Sequence, residues 1–343
     1  MSVARAESPT EQIFYCRERQ PLLLPGLLRD RRHERQLRRP QNSKWFLVCE
    51  NEQCSSMSFV IPALLAKHCA KTAERKAWLG GLPNTIRCLE RRWSLSLGAP
   101  YEHSYVSCSW VAPAIRAHRT RAVLKIGMPH FEGEQEMEGL RFWDGRATAR
   151  LLEWDQLANA MLLEQCEPGT PLLSIPEAEQ DVIVTTILRR LWLKPPPQTF
   201  RPLAALIAHW NEHTRKSADT WSDAVLVTEG LQVLTAMAAD PSDDFLLATD
   251  LHSGNILRAQ REPWLMIDPK PFVGDRAYDL TQHLFNCEQR LQTNPHELIV
   301  RIAELAGVDD RRVRLWLFGR AAAEPRDHWR GDWKLELARR LSL

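Results

Sequence analysis

The 343-residue sequence has no long apolar run, no Cys-x-x-Cys pair and almost no net charge. No stretch approaches the roughly 18 apolar residues that a membrane-spanning helix needs. Among its eight cysteines, Cys49 and Cys54 lack the second pair that would complete a tetrahedral zinc site. Its 45 basic and 43 acidic residues give no electrostatic reason to coat nucleic acid. These absences predict a cytoplasmic protein with reduced thiols and neither a membrane nor a nucleic-acid partner.

The first 56 residues differ in composition from the rest. Six arginines crowd one short stretch, and neither a helical nor a strand period persists there; they are Arg29, Arg31, Arg32, Arg35, Arg38 and Arg39. This pattern predicts a basic, disordered extension over residues 1–56. A nucleic-acid or membrane-surface arm is one alternative reading. Another is that translation begins at Met57, where a segment typical of a domain start opens.

From residue 57 the periodicity becomes regular and predicts an α+β protein. Helical spacing covers 62–79 and 86–93, and strands follow at 94–97, 104–117 and 121–127, a helix at 132–143, and a hairpin over 151–154 and 160–164. The second half predicts helices at 176–192, 202–216, 223–239, 277–288, 295–306 and 309–323, with short strands at 245–248 and 263–267. We therefore expect a β-rich N-terminal lobe over 57–164 and a helical C-terminal lobe over 165–343.

Five residues fall in the order and at the spacings of a phosphoryl-transfer site. Lys125 ends an apolar strand, and Glu136 follows on an acidic helix at the distance that kinases use for an ion pair. Asp250 and Asn255 bracket a polar loop after the strand at 245–248, and Asp268 ends the next strand. A carboxylate can take the acceptor's proton, and amide and carboxylate oxygens suit Mg²⁺. No glycine occurs between Gly98 and Gly127, so the glycine-rich phosphate loop of many kinases is absent.

The stretches Ala-Thr-Asp-Leu-His-Ser-Gly-Asn-Ile-Leu at 248–257 and Trp-Leu-Met-Ile-Asp-Pro-Lys-Pro-Phe-Val-Gly-Asp at 264–275 resemble the aminoglycoside/hydroxyurea antibiotic-resistance kinases. The resemblance implies a bilobal, protein-kinase-like fold and an ATP-dependent phosphotransferase that uses Mg²⁺. The roles that it implies are the base (Asp250), metal ligands (Asn255 and Asp268), a phosphate contact held by an acid (Lys125 and Glu136), a hinge beside adenine (Glu164 and Cys166) and a brace for the catalytic loop (Asp279).

The acceptor stays open between a polycationic aminoglycoside such as streptomycin and the small, neutral hydroxyurea. A polycation would need clustered carboxylates; the candidates are Asp275, Glu288, Glu324 and Asp327. Trp316, Trp329 and Trp333 could line a sugar pocket or simply pack in the core. A sugar or small-alcohol kinase and a non-catalytic binding module are the competing readings. We expect a small-molecule acceptor and a monomer or weak homodimer.

Overall fold

The computed structural model describes residues 60–102, 108–240 and 244–342. The expected basic extension over 1–56, Cys49 and Cys54 therefore lie outside the described residues, as do Ser104 and Ser107, which could have replaced a glycine-rich loop. No helix within these three ranges is both long and apolar enough to cross a bilayer.

A five-stranded antiparallel sheet forms the N-terminal lobe. Its strands are β1 (Leu95–Leu97), β2 (Ser109–Arg116), β3 (Arg121–Gly127), β4 (Leu151–Asp155) and β5 (Ala160–Glu164), in the order β1-β2-β3-β5-β4. Lys125 of β3 lies opposite Val111 of β2 and Met161 of β5. The lysine therefore extends from the central strand, where its backbone is fixed on both sides. The predicted succession along the chain, three strands, a helix and two strands, is confirmed.

Two helices precede the sheet, α1 (Ala63–Cys69) and α2 (Ala73–Trp93). The prediction of one helix over 62–79 and another over 86–93 has the right outer ends but places the break between the helices too late in the chain. Thr72 ends the first segment because its side chain accepts a hydrogen bond from Arg75 N, 3.2 Å away, and caps α2. α2 then continues through Pro83, whose missing N–H is tolerated while Leu82, Ile86 and Leu89 bury its apolar face.

The helix between the strands is shorter than predicted. A single 3₁₀ turn covers Phe131–Gly133, and α3 spans Glu136–Trp143. Glu136 is thus the first residue of α3 and faces inward, with 6% of its surface exposed. The other glutamates of the acidic segment lie on the solvent side or in the turn. Of the four glutamates in this segment, Glu132, Glu134, Glu136 and Glu138, only Glu136 is therefore buried and able to pair with a buried lysine.

The C-terminal part is helical, with two small two-stranded sheets. Its helices are α4 (Glu177–Leu191), α5 (Leu203–Lys216), α6 (Ala224–Ala238), α7 (Arg276–Asn286), α8 (Glu288–Thr293), α9 (Pro295–Ala306), α10 (Asp310–Ala323) and α11 (Trp333–Leu341). Its strands are β6 (Phe245–Leu247) paired with β9 (Phe272–Gly274), and β7 (Ile256–Arg258) paired with β8 (Trp264–Met266). One large apolar core joins these elements.

Backbone hydrogen bonds connect the two lobes close to Asp268, the predicted metal ligand. Met266 N donates to Ala147 O at 2.8 Å, and Ala149 N donates to Met266 O at 2.9 Å. The indole of Trp143 donates to Leu191 O at 2.9 Å and ties α3 to α4. Because Asp268 follows Met266 by two residues, these contacts fix where it stands relative to the sheet that carries Lys125.

Candidate active site

Lys125, Glu136 and Asp268 meet in one ion-pair cluster. Lys125 Nζ lies 2.6 Å from both carboxylate oxygens of Glu136 and 2.6 Å from Asp268 Oδ1. The lysine and the glutamate are nearly enclosed, whereas 42% of the Asp268 side chain is exposed. The sequence spacing therefore predicted a contact that the fold makes, and the cluster presents Asp268 to an open face.

The buried environment changes the proton affinity of each member. Burial alone would lower the pKa of Lys125, but the charges of Asp268 and Glu136 outweigh it and raise that pKa. Burial raises the pKa of Glu136 to about 7, against the opposing effect of Lys125. For Asp268, burial would raise the pKa, but Lys125 and Lys270 hold it below its ordinary value. Lys125 and Asp268 consequently stay charged at neutral pH.

Asp250 stands on the catalytic loop, which several hydrogen bonds hold. Asn255 Nδ2 donates to Asp250 O at 3.0 Å, so its amide oxygen remains available as a ligand. Ser253 Oγ donates to Gln180 Oε1 at 2.6 Å and ties the loop to α4. His252 Nδ1 accepts from Gly254 N at 3.1 Å, which gives the histidine a local structural role.

Asp279 braces the start of the same loop. Its carboxylate accepts hydrogen bonds from Thr249 N at 2.6 Å, Ala248 N at 3.0 Å and the indole of Trp192 at 2.9 Å. The aspartate is fully buried; burial raises its pKa to about 6, and the three hydrogen bonds act against that rise. This arrangement matches the bracing role implied by the resemblance, because the bonded backbone leads directly into Asp250.

Thr249, directly before Asp250, has an unusual backbone conformation. Its φ is +50°, in the left-handed region that costs a β-branched residue about 1–2 kcal/mol. The hydroxyl donates to Lys270 O at 2.5 Å. Lys270 N in turn donates to Ala248 O at 2.9 Å. The hydrogen bond from the Thr249 side chain, which joins the catalytic loop to the segment after Asp268, therefore offsets the backbone strain.

Glu164, one of the two residues predicted for the hinge, ends β5, and Cys166 follows it by two residues. The Glu164 carboxylate accepts from the guanidinium of Arg261 at 2.9 and 3.0 Å, so its side chain anchors the β7–β8 connection. Cys166 is buried against Ala149 and Leu265, and burial raises the pKa of its thiol to about 11. The thiol therefore stays protonated and serves as a small apolar group beside an apolar surface.

A polar cleft of about 270 Å³ opens beside Asp250. Four separate parts of the fold line it: the 3₁₀ turn, α5, the catalytic loop with its neighbouring strand, and α7 with α10. The lining residues are Glu132, Leu206, His209, Trp210, His213, Thr249, Asp250, Lys270, Tyr278, Gln282, Arg320, Glu324 and Pro325. Of the four carboxylates predicted from sequence to contact an acceptor, only Glu324 is among them.

Asp275 is a correction to that prediction. It is 4% exposed, caps α7 through Ala277 N at 2.9 Å, and accepts from Arg312 and from the indole of Trp316. Its carboxylate is therefore used inside the fold. Glu288 is exposed at the start of α8, and Asp327 is exposed after α10; neither lines the polar cleft.

The tryptophans proposed for stacking belong to the core. Trp316 is fully buried, Trp329 is 2% exposed, and Trp333 packs edge-on against Phe285. Trp210 of α5 instead reaches the polar cleft, where its indole donates to Glu132 Oε1 at 3.0 Å. Its helical spacing with Leu206 was the available signal, but nothing in the sequence told which face of α5 meets the catalytic loop.

Lys270 is the most consequential residue that the motif reasoning missed. Its ammonium contacts Asp250 Oδ2, and it lines the polar cleft. The available signal was only its place two residues after Asp268, and because Asp268 has a φ of +55°, no strand periodicity relates the two side chains.

Comparisons with known proteins agree with this arrangement. Residues 92–326 match the model of the family described as aminoglycoside/hydroxyurea antibiotic resistance kinase. The chain is 35% identical to a hydroxyurea phosphotransferase of Kitasatospora aureofaciens, covering 72% of this chain and 73% of that protein. It is 31% identical to a streptomycin 6-kinase of Streptomyces glaucescens, covering 76% and 88%.

A choline kinase structure from Streptococcus pneumoniae shares the fold, with a TM-score of 0.54, 13% identity, and coverage of 75% of this chain and 97% of that chain. The family match establishes a bilobal kinase-like enzyme that uses ATP and phosphorylates a small molecule. The chain belongs to the aminoglycoside/hydroxyurea antibiotic resistance kinase family.

Proposed function

We propose that this enzyme transfers the γ-phosphoryl group of ATP, as its Mg²⁺ complex, to the hydroxyl of a small, neutral acceptor of the hydroxyurea type. The observation that carries the proposal is the polar cleft, which has Asp250 on its wall and in which Asp250 and Glu324 are each paired with a cation. Inactivation of an antibiotic by phosphorylation is the biological consequence that we infer.

The donor set fits a magnesium–nucleotide complex. Asp268 offers a partly exposed carboxylate, and the hydrogen bond from Asn255 Nδ2 to the loop leaves the amide oxygen of Asn255 free to act as a ligand. When bound, Mg²⁺ would neutralise phosphate charge. Lys125, held by Glu136, would contact the α and β phosphates. The apolar surface around Cys166, Leu257 and Leu265 would receive the adenine between the lobes, whose boundary we place after Glu164.

The reaction asks this chain for positioning and charge placement. The acceptor hydroxyl binds in the polar cleft, and Asp250 takes its proton as the oxygen attacks phosphorus. Asp279 keeps the catalytic loop in place through Ala248 N and Thr249 N. The bond to the β–γ bridging oxygen breaks, and its electron pair leaves with ADP.

A neutral acceptor follows from how the cleft carboxylates are already bonded. Asp250 contacts Lys270, and Glu132 accepts from the indole of Trp210. Glu324 is paired with Arg320 at 3.1 Å and with Lys334 at 3.9 Å. A polycation would have to displace these bonded cations and would meet their repulsion. Hydroxyurea requires only hydrogen bonds and little volume.

Streptomycin is the second candidate, and a specific feature favours it. Glu132 and Glu324 both line the cleft, and either carboxylate could receive a cationic group of an aminoglycoside after a side-chain rearrangement. Under this alternative, Glu132→Gln and Glu324→Gln would each raise the KM for streptomycin. Under the hydroxyurea proposal, Glu132→Gln changes the KM for hydroxyurea by less than about threefold.

The test is a direct comparison of acceptors. Purified enzyme with Mg²⁺ and ATP is incubated with hydroxyurea, streptomycin and a panel of sugars, and ADP release and product mass are measured. We expect the mass of one added phosphoryl group on hydroxyurea. Phosphorylation of streptomycin alone would contradict the proposed acceptor, and phosphorylation of a sugar alone would support a metabolic kinase.

We also propose a cytoplasmic enzyme that is a monomer or weak homodimer. Cys69, Cys166 and Cys287 are buried thiols outside any disulfide in the described part of the chain, which supports a reducing compartment. Light scattering of the purified protein tests the oligomeric state, and fractionation of the producing cells tests the compartment.

A further inference from the structure

Two groups of ion pairs carry the charges of the site between α3 and the polar cleft. Lys125 contacts Glu136 and Asp268, and Lys270 contacts Asp250 and lies close enough to Asp268 for their charges to interact. Lys125 is on the side of the nucleotide lobe, and Lys270 is on the side of the acceptor. Two lysines therefore flank the position at which a phosphoryl group must pass from ATP to the acceptor.

We propose that Lys270 is a second catalytic lysine, which leaves Asp250 and binds the non-bridging oxygens of the transferring γ-phosphoryl group. This inference rests on the proposed function for the identity of the reaction. In the transfer, the acceptor oxygen bonds to phosphorus, Asp250 takes the hydroxyl proton, and the bond to ADP breaks. Lys270 gains and loses no proton; its charge balances the phosphoryl oxygens throughout.

The backbone of Lys270 is held by two hydrogen bonds, while its mostly buried side chain reaches the wall of the polar cleft. Lys270 N donates to Ala248 O at 2.9 Å, and Lys270 O accepts from the Thr249 hydroxyl at 2.5 Å. Both bonds connect it to the loop that carries Asp250. The side chain is 18% exposed, and four methylene groups let the ammonium swing from one anion to a neighbouring one.

The other cation of the polar cleft is committed to the fold. Arg320 is 3% exposed and donates to Thr281 Oγ1 at 2.6 Å, Gln282 Oε1 at 2.9 Å and Glu324. Its guanidinium also packs on the rings of Trp210 and Tyr278. Arg320 cannot follow a moving phosphoryl group without breaking this network. Lys270 can move toward the phosphoryl group, because its ion-pair partner Asp250 also faces the cleft.

Binding measurements separate this role from simple support of Asp250. A lysine that contacts the γ-phosphoryl group should distinguish a non-hydrolysable ATP analogue from ADP, since ADP lacks that group. Dissociation constants for both nucleotides, with Mg²⁺, are measured for wild type and Lys270→Met. We expect about tenfold weaker binding of the ATP analogue and less than a twofold change for ADP, with kcat lowered at least 10²-fold.

Two further variants keep the result interpretable. Asp250→Asn combined with Lys270→Met, compared with Asp250→Asn alone, removes both charges and leaves neither unpaired; the tenfold loss for the ATP analogue should persist. Lys216→Met, an exposed lysine of α5 outside the cleft, should change neither constant. Equal effects on ATP analogue and ADP, or no effect on either in both backgrounds, would overturn the proposal.

These binding measurements need no acceptor. If wild-type enzyme phosphorylates neither hydroxyurea nor streptomycin but the nucleotide difference is present, the proposed acceptors fail and the role of Lys270 stands. If hydroxyurea is phosphorylated and the nucleotide difference is absent, the role of Lys270 fails and the proposed function stands.

Discussion

At the residue scale, Lys125 and Asp268 have separate proposed roles in holding the nucleotide. Asp268→Ala removes the proposed metal ligand and should abolish turnover and weaken metal-dependent ATP binding. Lys125→Ala should raise the KM for ATP and lower kcat together, because in its proposed role the lysine contacts phosphates before and during transfer. Steady-state kinetics and ATP binding with and without Mg²⁺ measure both.

The exposed Lys67 of α1 supplies the matched control, since Lys67→Ala should leave kcat and KM unchanged. Unchanged ATP binding in Asp268→Ala across a Mg²⁺ titration would show that Asp268 is not a metal ligand. An unchanged KM for ATP in Lys125→Ala would remove the phosphate contact from the account.

Thr249 provides a second prediction at this scale, because its strain and its hydroxyl bond can be separated. Thr249→Gly relieves a positive φ and loses the bond to Lys270 O, so the two effects, each about 1–2 kcal/mol, should nearly cancel. Thr249→Val keeps the strain and loses the bond, and should lower the free energy of unfolding by about 2 kcal/mol. Urea unfolding of both variants measures the difference, and equal stabilities would contradict this account of Thr249.

At the element scale, Asp181 of α4 joins three other helices. Its carboxylate lies 3.0 Å from His283 Nε2 of α7 and accepts from Arg290 of α8 at 2.8 Å and Arg301 of α9 at 2.9 Å. Burial would raise the pKa of Asp181, but these hydrogen bonds outweigh it and hold the pKa well below its ordinary value. Four helices that support the catalytic loop therefore depend on one ionised carboxylate.

Asp181→Asn should lower the free energy of unfolding by about 3 kcal/mol at pH 7, the low end for a broken buried pair, because both arginines retain contact with water. The folded pKa is depressed, so the contribution is complete above the unfolded pKa of about 4 and declines as the pH falls below it. Urea unfolding at pH 7, 5 and 3.5 should show the difference between variant and wild type shrinking at the lowest pH.

Asp219→Asn, at an exposed position after α5, is the control and should change stability by less than about 0.5 kcal/mol. A difference for Asp181→Asn that stays constant down to pH 3.5 would show that the carboxylate acts through packing rather than charge.

Helix α6 and helix α10 approach closely because Gly230 has no side chain. A Cβ there would lie 2.5 Å from the Cβ of Ala322 and 3.0 Å from that of Ala323. Gly230→Ala must push the helices apart and should cost about 1–3 kcal/mol. Gly80→Ala in α2 meets no atom within 4 Å and should stabilise by up to about 1 kcal/mol, since alanine favours helix. Thermal unfolding of the two variants should shift in opposite directions, and the same sign for both would refute the packing argument.

Elements were predictable where one local signal governs them. The five-strand order and helices α4, α5, α6, α9 and α10 follow from periodicity and from capping residues close to their ends. The break at Thr72 was not recognised because apolar spacing alone does not mark a cap. The 3₁₀ turn before α3 was missed for a similar reason, since acidic residues there fit a helical first turn equally well.

At the scale of the whole molecule, the residues proposed to hold the nucleotide could be picked out from the sequence, and the lining of the polar cleft could not. Lys125, Glu136, Asp250, Asn255 and Asp268 occur in a fixed linear order with spacings set by the strands and loops between them. The polar cleft instead combines Glu132, Trp210, Lys270 and Arg320 from distant segments, and no spacing relates them. Asp275 was predicted to contact the acceptor because the sequence does not reveal that its carboxylate is paired with Arg312 inside the fold.

The most direct test of the central claim compares wild type with Asp250→Asn in the presence of Mg²⁺, ATP and hydroxyurea. The substitution keeps size and hydrogen bonding but removes the base and its charge. The account predicts a singly phosphorylated hydroxyurea from wild type by mass spectrometry. For Asp250→Asn it predicts kcat lowered by about 10²-fold or more with ATP binding retained. Phosphorylation of the acceptor at the wild-type rate by Asp250→Asn would contradict it.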